Sequence, residues 1–327
     1  MKQRLILFLI LSLPLSSGRL ALGDDWPSFR GGAFRRGSVD GTAAFHRPAL
    51  AWRSMNKDHI SPAYASSPAI VGDRVFVGLA EQSVFSATGR VLCFDLATGK
   101  QSWEAETRYP VFSSPAVSGG KVFVGEGFHQ DSDCSLYAFA AASGKKLWSF
   151  TTGSHLESSP HIADGRVFFG AGDDGVYCLD SADGRKLWHQ GGLHVDIAPL
   201  LSGGLVYAGS GYGKLEAFAL DGRSGAFAWR TPVKLPAWGA PVRLGNRIIY
   251  GLGNGNFTES AQKPAGAVLS LSAVTGKLAW RTELPDGVLT AVVAGRKALF
   301  VGCRDGRVYS LDPASGELLW SVACGAG

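Results

Sequence analysis

The chain has 327 residues, of which 46% are hydrophobic and 18% charged, with 44 glycines and 9 tryptophans. This composition excludes a largely disordered chain, and many glycines combined with many large aromatic residues favour all-β repeats over helices. The net charge is +5, but removing the N-terminal Lys2, Arg4 and Arg19 leaves 29 basic residues against 27 acidic ones, a net charge of +2. That balance gives no reason to expect nucleic acid or an anionic membrane as a partner.

The first predicted element is a secretory signal peptide at residues 1–23. Its basic region contains Lys2 and Arg4, its apolar run covers residues 5–15, and small residues at 21 and 23 precede a cleavage site after Gly23. The apolar run is too short to span a bilayer, which needs about 18–20 residues. We find no other stretch apolar enough to span, so we expect an exported protein, periplasmic or secreted, without a transmembrane segment.

Residues 24–49 form an N-terminal extension, and a repeated unit that ends in tryptophan follows over residues 50–327. In its clearest copy a strand leads into a turn at Gly99, and the next strand carries Trp103. The glycine is expected to adopt a positive φ in a short hairpin with a bulge, and the tryptophan to pack between neighbouring sheets. The spacing of four residues recurs in six copies: Gly99/Trp103, Gly144/Trp148, Gly184/Trp188, Gly225/Trp229, Gly276/Trp280 and Gly316/Trp320.

A second pair of strands precedes each hairpin, and five of these pairs begin with a proline, where a missing amide breaks no ladder hydrogen bond. Each repeat is therefore four antiparallel strands in about 40–50 residues, the size of a propeller blade. The predicted fold is an all-β propeller of six complete blades. The segment Leu50-Ala51-Trp52 belongs to a partial seventh blade. Whether the ring closes at six blades or is left with an incomplete seventh stays open at this point.

The hairpins resemble the PQQ-like β-propeller repeat family, in which Thr/Ser-Gly-Lys is followed by Trp three residues after the lysine. This motif is present at residues 98–103, 143–148 and 275–280. The resemblance implies a quinoprotein-type propeller, and in the quinone-binding members a tryptophan stacks on PQQ while acidic groups hold calcium. Many proteins with this repeat bind no quinone. The propeller subunit of the outer-membrane barrel assembly machine has the same type of repeat, and the resemblance to it implies a scaffold function.

Connections of variable length lie on one face of the predicted ring, which is where repeat scaffolds usually carry function. The residue just before each innermost strand is expected to point toward the central channel on this face. Phe112, Glu157, Asp196 and Trp238 occupy four of these positions and form the predicted ligand site at the pore mouth. By the resemblance, Glu157 and Asp196 are the calcium candidates. The competing interpretation is that rim residues vary freely and form no site.

Cysteines and histidines are the remaining site candidates. Cys93 and Cys178 align with Ala or Ser in other copies and are predicted to be packed thiols. One disulfide is possible among the remaining three cysteines, and the sequence does not specify which two would pair: Cys134, Cys303 and Cys324. Four histidines lie on different segments without the spacing of metal ligands, which argues against a zinc site: His129, His155, His161 and His194.

The sequence favours a monomeric, exported, non-catalytic scaffold for binding or assembly, with protein partners in the cell envelope and no cofactor. A PQQ- and calcium-dependent dehydrogenase that uses the pore-mouth residues is the main alternative, and as an enzyme it would be a quinone-dependent oxidoreductase. A propeller that recognises a sugar or a peptide at the same mouth is the third interpretation. No catalytic residue is assigned.

Overall fold

The computed structural model describes residues 25–31, 50–54, 62–64, 66–82, 87–256, 258–295 and 297–324. These residues form 25 β-strands and no helix, so none of them lies in a helix that could cross a membrane. Six antiparallel sheets follow one another along the chain. The predicted propeller of four-stranded blades is confirmed. The predicted signal peptide lies outside the described residues, and its cleavage stays a prediction.

Within each blade the strands are hydrogen-bonded in chain order. The first blade also has a short additional strand, because β1 and β2 both pair with β3. The strands of the first three blades are β1 (Pro62–Ala63), β2 (Ala69–Val71), β3 (Arg74–Gln82), β4 (Ala87–Asp95) and β5 (Gln101–Thr107); β6 (Ala116–Ser118), β7 (Lys121–Gly125), β8 (Ser135–Ala140) and β9 (Lys146–Thr151); β10 (His161–Ala163), β11 (Arg166–Gly170), β12 (Val176–Asp180) and β13 (Lys186–Gln190).

The last three blades repeat the pattern. Their strands are β14 (Leu200–Ser202), β15 (Leu205–Gly209), β16 (Glu216–Asp221) and β17 (Phe227–Pro232); β18 (Val242–Leu244), β19 (Arg247–Gly253), β20 (Gly266–Ser272) and β21 (Leu278–Leu284); β22 (Val293–Ala294), β23 (Leu299–Cys303), β24 (Arg307–Leu311) and β25 (Leu318–Ala323). First strands of neighbouring blades contact one another, as β6 does with β10 and β18 with β22. These strands therefore line the central channel.

The sequence of each strand follows its place in the blade. Second strands are buried on both sides and are rich in β-branched and aromatic residues, as in β11, where Val167, Phe168 and Phe169 are buried. The fourth strands are outermost, and in β9 exposed and half-buried side chains alternate. Hydrophobic clusters lie between successive blades: one cluster joins Trp229 of the fourth blade to Tyr250 of the fifth.

The turn between the third and fourth strands has the same structure in every blade. In the fourth blade the amide of Gly225 donates to the carbonyl of Asp221 over 2.8 Å, and the register shifts at a bulge after Ala219. The φ of Gly225 is 74°, and the other five repeat glycines also have positive φ. Left-handed backbone of this kind favours glycine, because a Cβ would crowd the following carbonyl. The predicted bulged hairpin is confirmed.

Each turn glycine also makes room for the tryptophan of the preceding blade. A Cβ at Gly144 would lie 2.6 Å from the ring of Trp103, and one at Gly225 would lie 2.8 Å from the ring of Trp188. The indole of Trp188 donates to the carbonyl of Gly222 over 3.0 Å. The tryptophans thus pack one blade on the next, and glycine is needed at the contact for its lack of a side chain.

Two further tryptophans show that the repeat is not fully uniform. Trp148 packs on Gly184 and Trp280 on Gly316, where an added Cβ would lie 2.6 and 2.5 Å from the respective ring. The indole of Trp280 is buried and donates to the carbonyl of Pro313 over 3.2 Å, as tryptophans of other blades do with the equivalent carbonyl. Trp148 differs, because it is only half-buried and its Nε1 has no hydrogen-bond partner within the described part of the chain. The sequence predicted equivalent tryptophans, and Trp148 departs from that equivalence in its hydrogen bond.

The two ends of the repeat differ in the tryptophan contact. Trp52 packs on Gly99 as the tryptophan of a preceding blade would, and its indole donates to the carbonyl of Leu96 over 2.8 Å. Within residues 50–54, Leu50 is the one residue that takes part in a β-bridge. At the other end Trp320 is 47% exposed, whereas the equivalent Trp229 is buried. The partial seventh unit therefore contributes its tryptophan to the first blade.

All five cysteines are free thiols, four of them buried and Cys324 exposed. The disulfide that the sequence left open is therefore not formed. Cys134 directly precedes the second blade's third strand, with its Sγ 3.7 Å from the carbonyl of Ser132, whereas Cys303 belongs to the sixth blade. A shared face did not bring Cys134 and Cys303 together, because the blades that carry them are not neighbours. Cys324 directly follows the last strand of the blade that carries Cys303, and the two are nonetheless free thiols. Cys93 and Cys178 are fully buried, as predicted.

Candidate functional site

The four residues predicted at the pore mouth line one cavity of about 420 Å³. Each stands four positions before the first residue of an innermost strand, β6, β10, β14 or β18. In the second and third blades the next residue is a serine that bonds both backbone groups of a glycine in the second strand, as Ser158 does with Gly170 at 2.9 and 2.7 Å. These two hydrogen bonds hold the segment that joins the fourth strand of one blade to the first strand of the next. The residue before the serine then faces the channel. The cavity is lined by Phe112, Glu157, Asp196 and Trp238, among others.

The six repeat tryptophans do not form part of this cavity. None of them, Trp148 and Trp280 included, is among its described lining residues. Their rings pack on the turn glycines of neighbouring blades instead. Trp238 lies outside the repeat series and is the tryptophan among the described lining residues of this cavity.

A segment of the N-terminal extension, residues 25–31, contributes to the same cavity. Trp26 forms a bridge with Ile70 of the first blade, and the carbonyl of Pro27 accepts a hydrogen bond from the amide of Val117 in the second blade. Phe29 and Arg30 line the cavity. Burial lowers the pKa of Arg30 to about 10, so the guanidinium is still charged at neutral pH. Residues 25–31 are therefore part of the cavity lining.

Three histidines and one aspartate meet beside the cavity. One ligand atom from each lies within 4.8 Å of those of the other three: His129, His155, His194 and Asp196. Nε2 of His155 is 3.0 Å from Oδ1 of Asp196, and Nε2 of His194 is 2.6 Å from Oδ2 of the same carboxylate. Both carboxylate oxygens of Asp196 are thus paired with imidazoles.

The other ring nitrogen of each of these two imidazoles, Nδ1, also has a hydrogen-bond partner. Nδ1 of His194 lies 2.6 Å from Oδ1 of Asp173, and Nδ1 of His155 lies 3.2 Å from the hydroxyl of Ser154. Glu157 is adjacent: its Oε1 accepts the backbone amide of His129 over 3.0 Å. The loop that carries His129 is therefore held against the link that carries Glu157.

Burial and charge shift the pKa values in opposite directions. Burial and, secondly, the nearby charge of Asp196 together raise the pKa of Glu157 to about 8. Burial alone would raise the pKa of Asp196, but hydrogen bonds and attraction from His155 and His194 lower it to about 2. Burial alone would lower the pKa of His194, but hydrogen bonds and attraction from Asp196 and Asp173 raise it to about 9. Burial lowers the pKa of His129. At neutral pH the site therefore holds the Asp196 anion, the His194 cation and a protonated Glu157.

Aromatic rings continue the site around the mouth. The ring centroids of Phe112 and Phe128 are 4.8 Å apart, and Tyr212 lies between His194 at 4.8 Å and Trp238 at 5.2 Å. Phe128 is 40% exposed and Tyr212 is 44% exposed. The mouth therefore presents aromatic surface to solvent beside a buried polar cluster.

The sequence argued against a zinc site because the four histidines lie on different segments without ligand spacing, yet three of them meet. Their positions along the chain are far apart, but loops from successive blades meet at the channel, and His161 alone stays outside the cluster. A signal was available, because His155 precedes Glu157 by two residues and His194 precedes Asp196 by two, at the same repeat position in adjacent blades. Phe128 and Tyr212 were not predicted, since they lie in loops of different length that the repeat does not align.

The residues of the cavity fit PQQ and calcium poorly. PQQ carries three carboxylates, and buried charge must be paired, but of the described lining residues Arg30 is the one cation, against Glu157 and Asp196. Calcium takes about 6–8 oxygen ligands. The groups bonded to Asp196 are imidazole nitrogens, which calcium disfavours as ligands.

Comparison with known proteins places this architecture in a family. A family model described as outer membrane protein assembly factor BamB matches residues 39–153, 128–258 and 260–326, which is most of the chain. The chain belongs to this family. Within it, BamB of Yersinia pestis is 27% identical over 44% of this chain and 38% of its own length.

Similarity extends to dehydrogenases with the same type of repeat. Polyvinylalcohol dehydrogenase of a Pseudomonas species is 25% identical over 43% of this chain and 33% of its own length. The matched part is thus about a third of each of these two relatives.

Two solved structures share the fold. BamB from Moraxella catarrhalis has a TM-score of 0.60 at 17% identity, covering 81% of this chain and 90% of that one. The quinohemoprotein alcohol dehydrogenase from Comamonas testosteroni has a TM-score of 0.64 at 13% identity, covering 93% of this chain and 73% of that one. At these identities the likeness concerns the propeller alone, and function must be argued from the site.

Proposed function

We propose that this BamB-family chain is an exported, non-catalytic scaffold that binds protein segments of the cell envelope on its variable-loop face. The observation that carries the proposal is the exposed aromatic surface of Phe128 and Tyr212 at the pore mouth. Large aromatic side chains dominate the binding energy of protein interfaces when they are presented on a rigid frame. The frame here is a ring of hydrogen-bonded sheets, and the family model describes an assembly factor of the outer membrane.

The physical arrangement suits a peptide or loop of a partner. Phe128 is in contact with Phe112 at 4.8 Å, and Tyr212 with Trp238 at 5.2 Å, so each exposed ring is supported by a ring behind it. Supported rings lose little conformational freedom on binding, which lowers the entropic cost of docking.

A site-specific photo-crosslinking experiment tests this proposal. A photoreactive phenylalanine analogue placed at position 128 or 212 should yield discrete crosslinks to envelope proteins in cells. The matched control is the same analogue at Val274, which is exposed in the β20–β21 turn on the opposite face. We expect the yield at position 274 to be several-fold lower. Equal yields at all three positions would remove the support for a binding face at the pore mouth.

Complementation gives an independent measurement. In cells that lack the protein, the folded fraction of outer-membrane β-barrel proteins should fall, and wild type and Val274→Ser should restore it. The double variant Phe128→Ser/Tyr212→Ser should restore it poorly. Restoration by all three forms would contradict a docking role for the two rings.

The dehydrogenase alternative rests on the cavity with Trp238 and on the likeness to polyvinylalcohol dehydrogenase and to a quinohemoprotein alcohol dehydrogenase. It is tested by adding PQQ and calcium to the purified protein. Quinone absorbance that persists through gel filtration, together with a raised Tm, would favour the dehydrogenase over the scaffold. Replacing Trp238 or Asp196 should then abolish that binding.

A further inference from the structure

The polar cluster at the pore mouth has the composition and geometry of a transition-metal site. We propose a site for one Zn²⁺-type ion, with ligands from four side chains: His129, His155, His194 and Asp196. Imidazole nitrogen with one carboxylate oxygen is a donor set that zinc and neighbouring divalent metals prefer, whereas calcium and magnesium require oxygen. This inference goes beyond the scaffold function and does not depend on it.

Distances support a single ion. One donor atom from each of the four residues lies within 4.8 Å of the others. Zinc–nitrogen bonds of about 2.0–2.1 Å in a tetrahedron place donor atoms roughly 3.3 Å apart. The closest pairs in the cluster are nearer than this because they are hydrogen-bonded, with Nε2 of His194 2.6 Å from Oδ2 and Nε2 of His155 3.0 Å from Oδ1 of Asp196, and an ion would replace these hydrogen bonds. Small side-chain rotations therefore suffice to draw the four donors around an ion.

Outer partners orient two of the imidazoles for this purpose. Asp173 lies 2.6 Å from Nδ1 of His194, and the hydroxyl of Ser154 lies 3.2 Å from Nδ1 of His155. A bound ion would displace the Nε2 protons that face Asp196, so that each ring would keep its proton on Nδ1 beside the outer partner and direct Nε2 at the ion. A carboxylate or hydroxyl behind a ligating histidine is the usual second layer of a metal site, because it fixes the tautomer and raises the basicity of the ligand.

The cluster is enclosed by protein. The side chains of His155, Asp196 and His194 are 1%, 4% and 9% exposed. His129 is more accessible and is the member nearest to solvent. Four protein ligands leave no position for substrate, which is the pattern of structural zinc sites rather than catalytic ones.

The ligands come from three separate connections on the variable-loop face. His129 lies in the β7–β8 loop, His155 in the β9–β10 link, and His194 with Asp196 in the β13–β14 link. These three connections are separated along the chain by the strands of the blades. An ion at this point would cross-link them directly. The expected consequence is a more rigid pore mouth, with Phe128 held next to the ligand His129.

Metal binding by the purified full-length protein tests the proposal. The protein is stripped with a chelator, and binding of Zn²⁺ and Co²⁺ is followed by calorimetry and by metal analysis after gel filtration. We expect one ion per chain, a raised Tm with Zn²⁺, and the intense visible absorption of tetrahedral Co²⁺. Wild type that binds neither ion stoichiometrically would overturn the proposal.

Variants separate this site from adventitious binding. His194→Gln should abolish stoichiometric binding, and His129→Ala provides the same test at the most accessible ligand in case the buried change prevents folding. Asp173→Asn should keep the site but weaken binding by about 10-fold, as losses of second-layer partners do. His189→Gln is the matched control, because His189 stacks on Tyr177 at 4.0 Å outside the cluster. Unchanged binding in folded His194→Gln or His129→Ala, or equal loss in His189→Gln, would overturn the assignment.

Discussion

At the scale of single residues, Asp221 shows how one carboxylate organises a hairpin. Its Oδ1 accepts the hydroxyl of Ser224 over 2.8 Å, the amide of Ser224 over 2.8 Å and the amide of Arg223 over 3.1 Å. Hydrogen bonds to Ser224 hold the pKa of Asp221 below its ordinary value of 3.8. The equivalent Asp312 is held below that value in the same way, by the amides of Ser315 and Ala314.

We expect Asp221→Asn to destabilise the protein in a pH-dependent manner. Because the folded pKa is depressed, the ionised carboxylate stabilises the fold above pH 3.8, and this contribution is lost as the pH falls through the folded pKa. Urea unfolding at neutral pH should show a lower free energy of unfolding for the variant than for wild type. The difference should shrink in strongly acidic buffer. A difference that is the same at both pH values would refute the role of the charge.

At the scale of elements, neighbouring blades are joined by a repeated contact of tryptophan on glycine. Gly225 has a φ of 74° and lies against Trp188, so a side chain there would meet both backbone strain and the indole ring. Gly204 has a φ of 79°, but a Cβ there would meet no atom within 4 Å. The two positions therefore separate the effect of the close contact from that of backbone conformation.

Gly204→Ala is predicted to lower the free energy of unfolding by about 1–2 kcal/mol, the cost of left-handed backbone for an alanine. Gly225→Ala should exceed that loss by about 1–3 kcal/mol, because a methyl group must be forced against Trp188 in a packed interface. Denaturant unfolding of both variants measures the difference. An equal decrease in the free energy of unfolding in both variants would show that Trp188 can move aside without an energetic penalty. Its packing would then not require glycine at position 225.

At the scale of the whole molecule, the N-terminal segment connects the first blades to the last one. Trp26 pairs with Ile70 of the first blade, while the guanidinium of Arg30 donates to the carbonyl of Val292, just before the first strand of the sixth. Trp52 covers the first blade in the place of a preceding tryptophan. These contacts hold together the two ends of a ring whose sixth blade leaves Trp320 exposed.

We expect Arg30→Met to loosen the sixth blade selectively. The change removes a buried hydrogen bond from a charged donor, which contributes about 1.5–3 kcal/mol. The equilibrium constant for local opening should therefore rise by roughly 10-fold or more. Hydrogen exchange should be faster in the segment around Val292. Residues 161–170 of the third blade serve as the internal control and should be unchanged. Equal rates around Val292 in both proteins would show that the segment does not restrain that blade.

Much of the fold could be predicted from the sequence because its determinants are local and repeated. The four-residue spacing from glycine to tryptophan marks each bulged hairpin, and both residue types have steric reasons to be there. The predicted positions of Phe112, Glu157, Asp196 and Trp238 line one cavity, since the same backbone geometry recurs before each innermost strand. Their role as a ligand site stays a proposal.

Differences among the repeat tryptophans could not be predicted in the same way. Trp148 and Trp280 have identical spacing from their turn glycines, yet Trp280 is buried with its indole hydrogen-bonded and Trp148 is half-buried without that bond in the described residues. The acceptor belongs to the next blade, so its distance from the indole depends on how two blades pack. A pattern within one blade carries no information on that distance.

The sequence by itself determined the blade, its strand order and the face that carries the variable loops, because turn sterics and strand alternation act over a few residues. Only the tertiary structure decided which loop residues meet. His129, His155 and His194 come together because successive blades direct their loops toward one axis, and the shape of each loop depends on contacts with the next blade. Cys134, Cys303 and Cys324 are all free thiols, and the blade order accounts for this only for Cys134 and Cys303, whose blades are not neighbours.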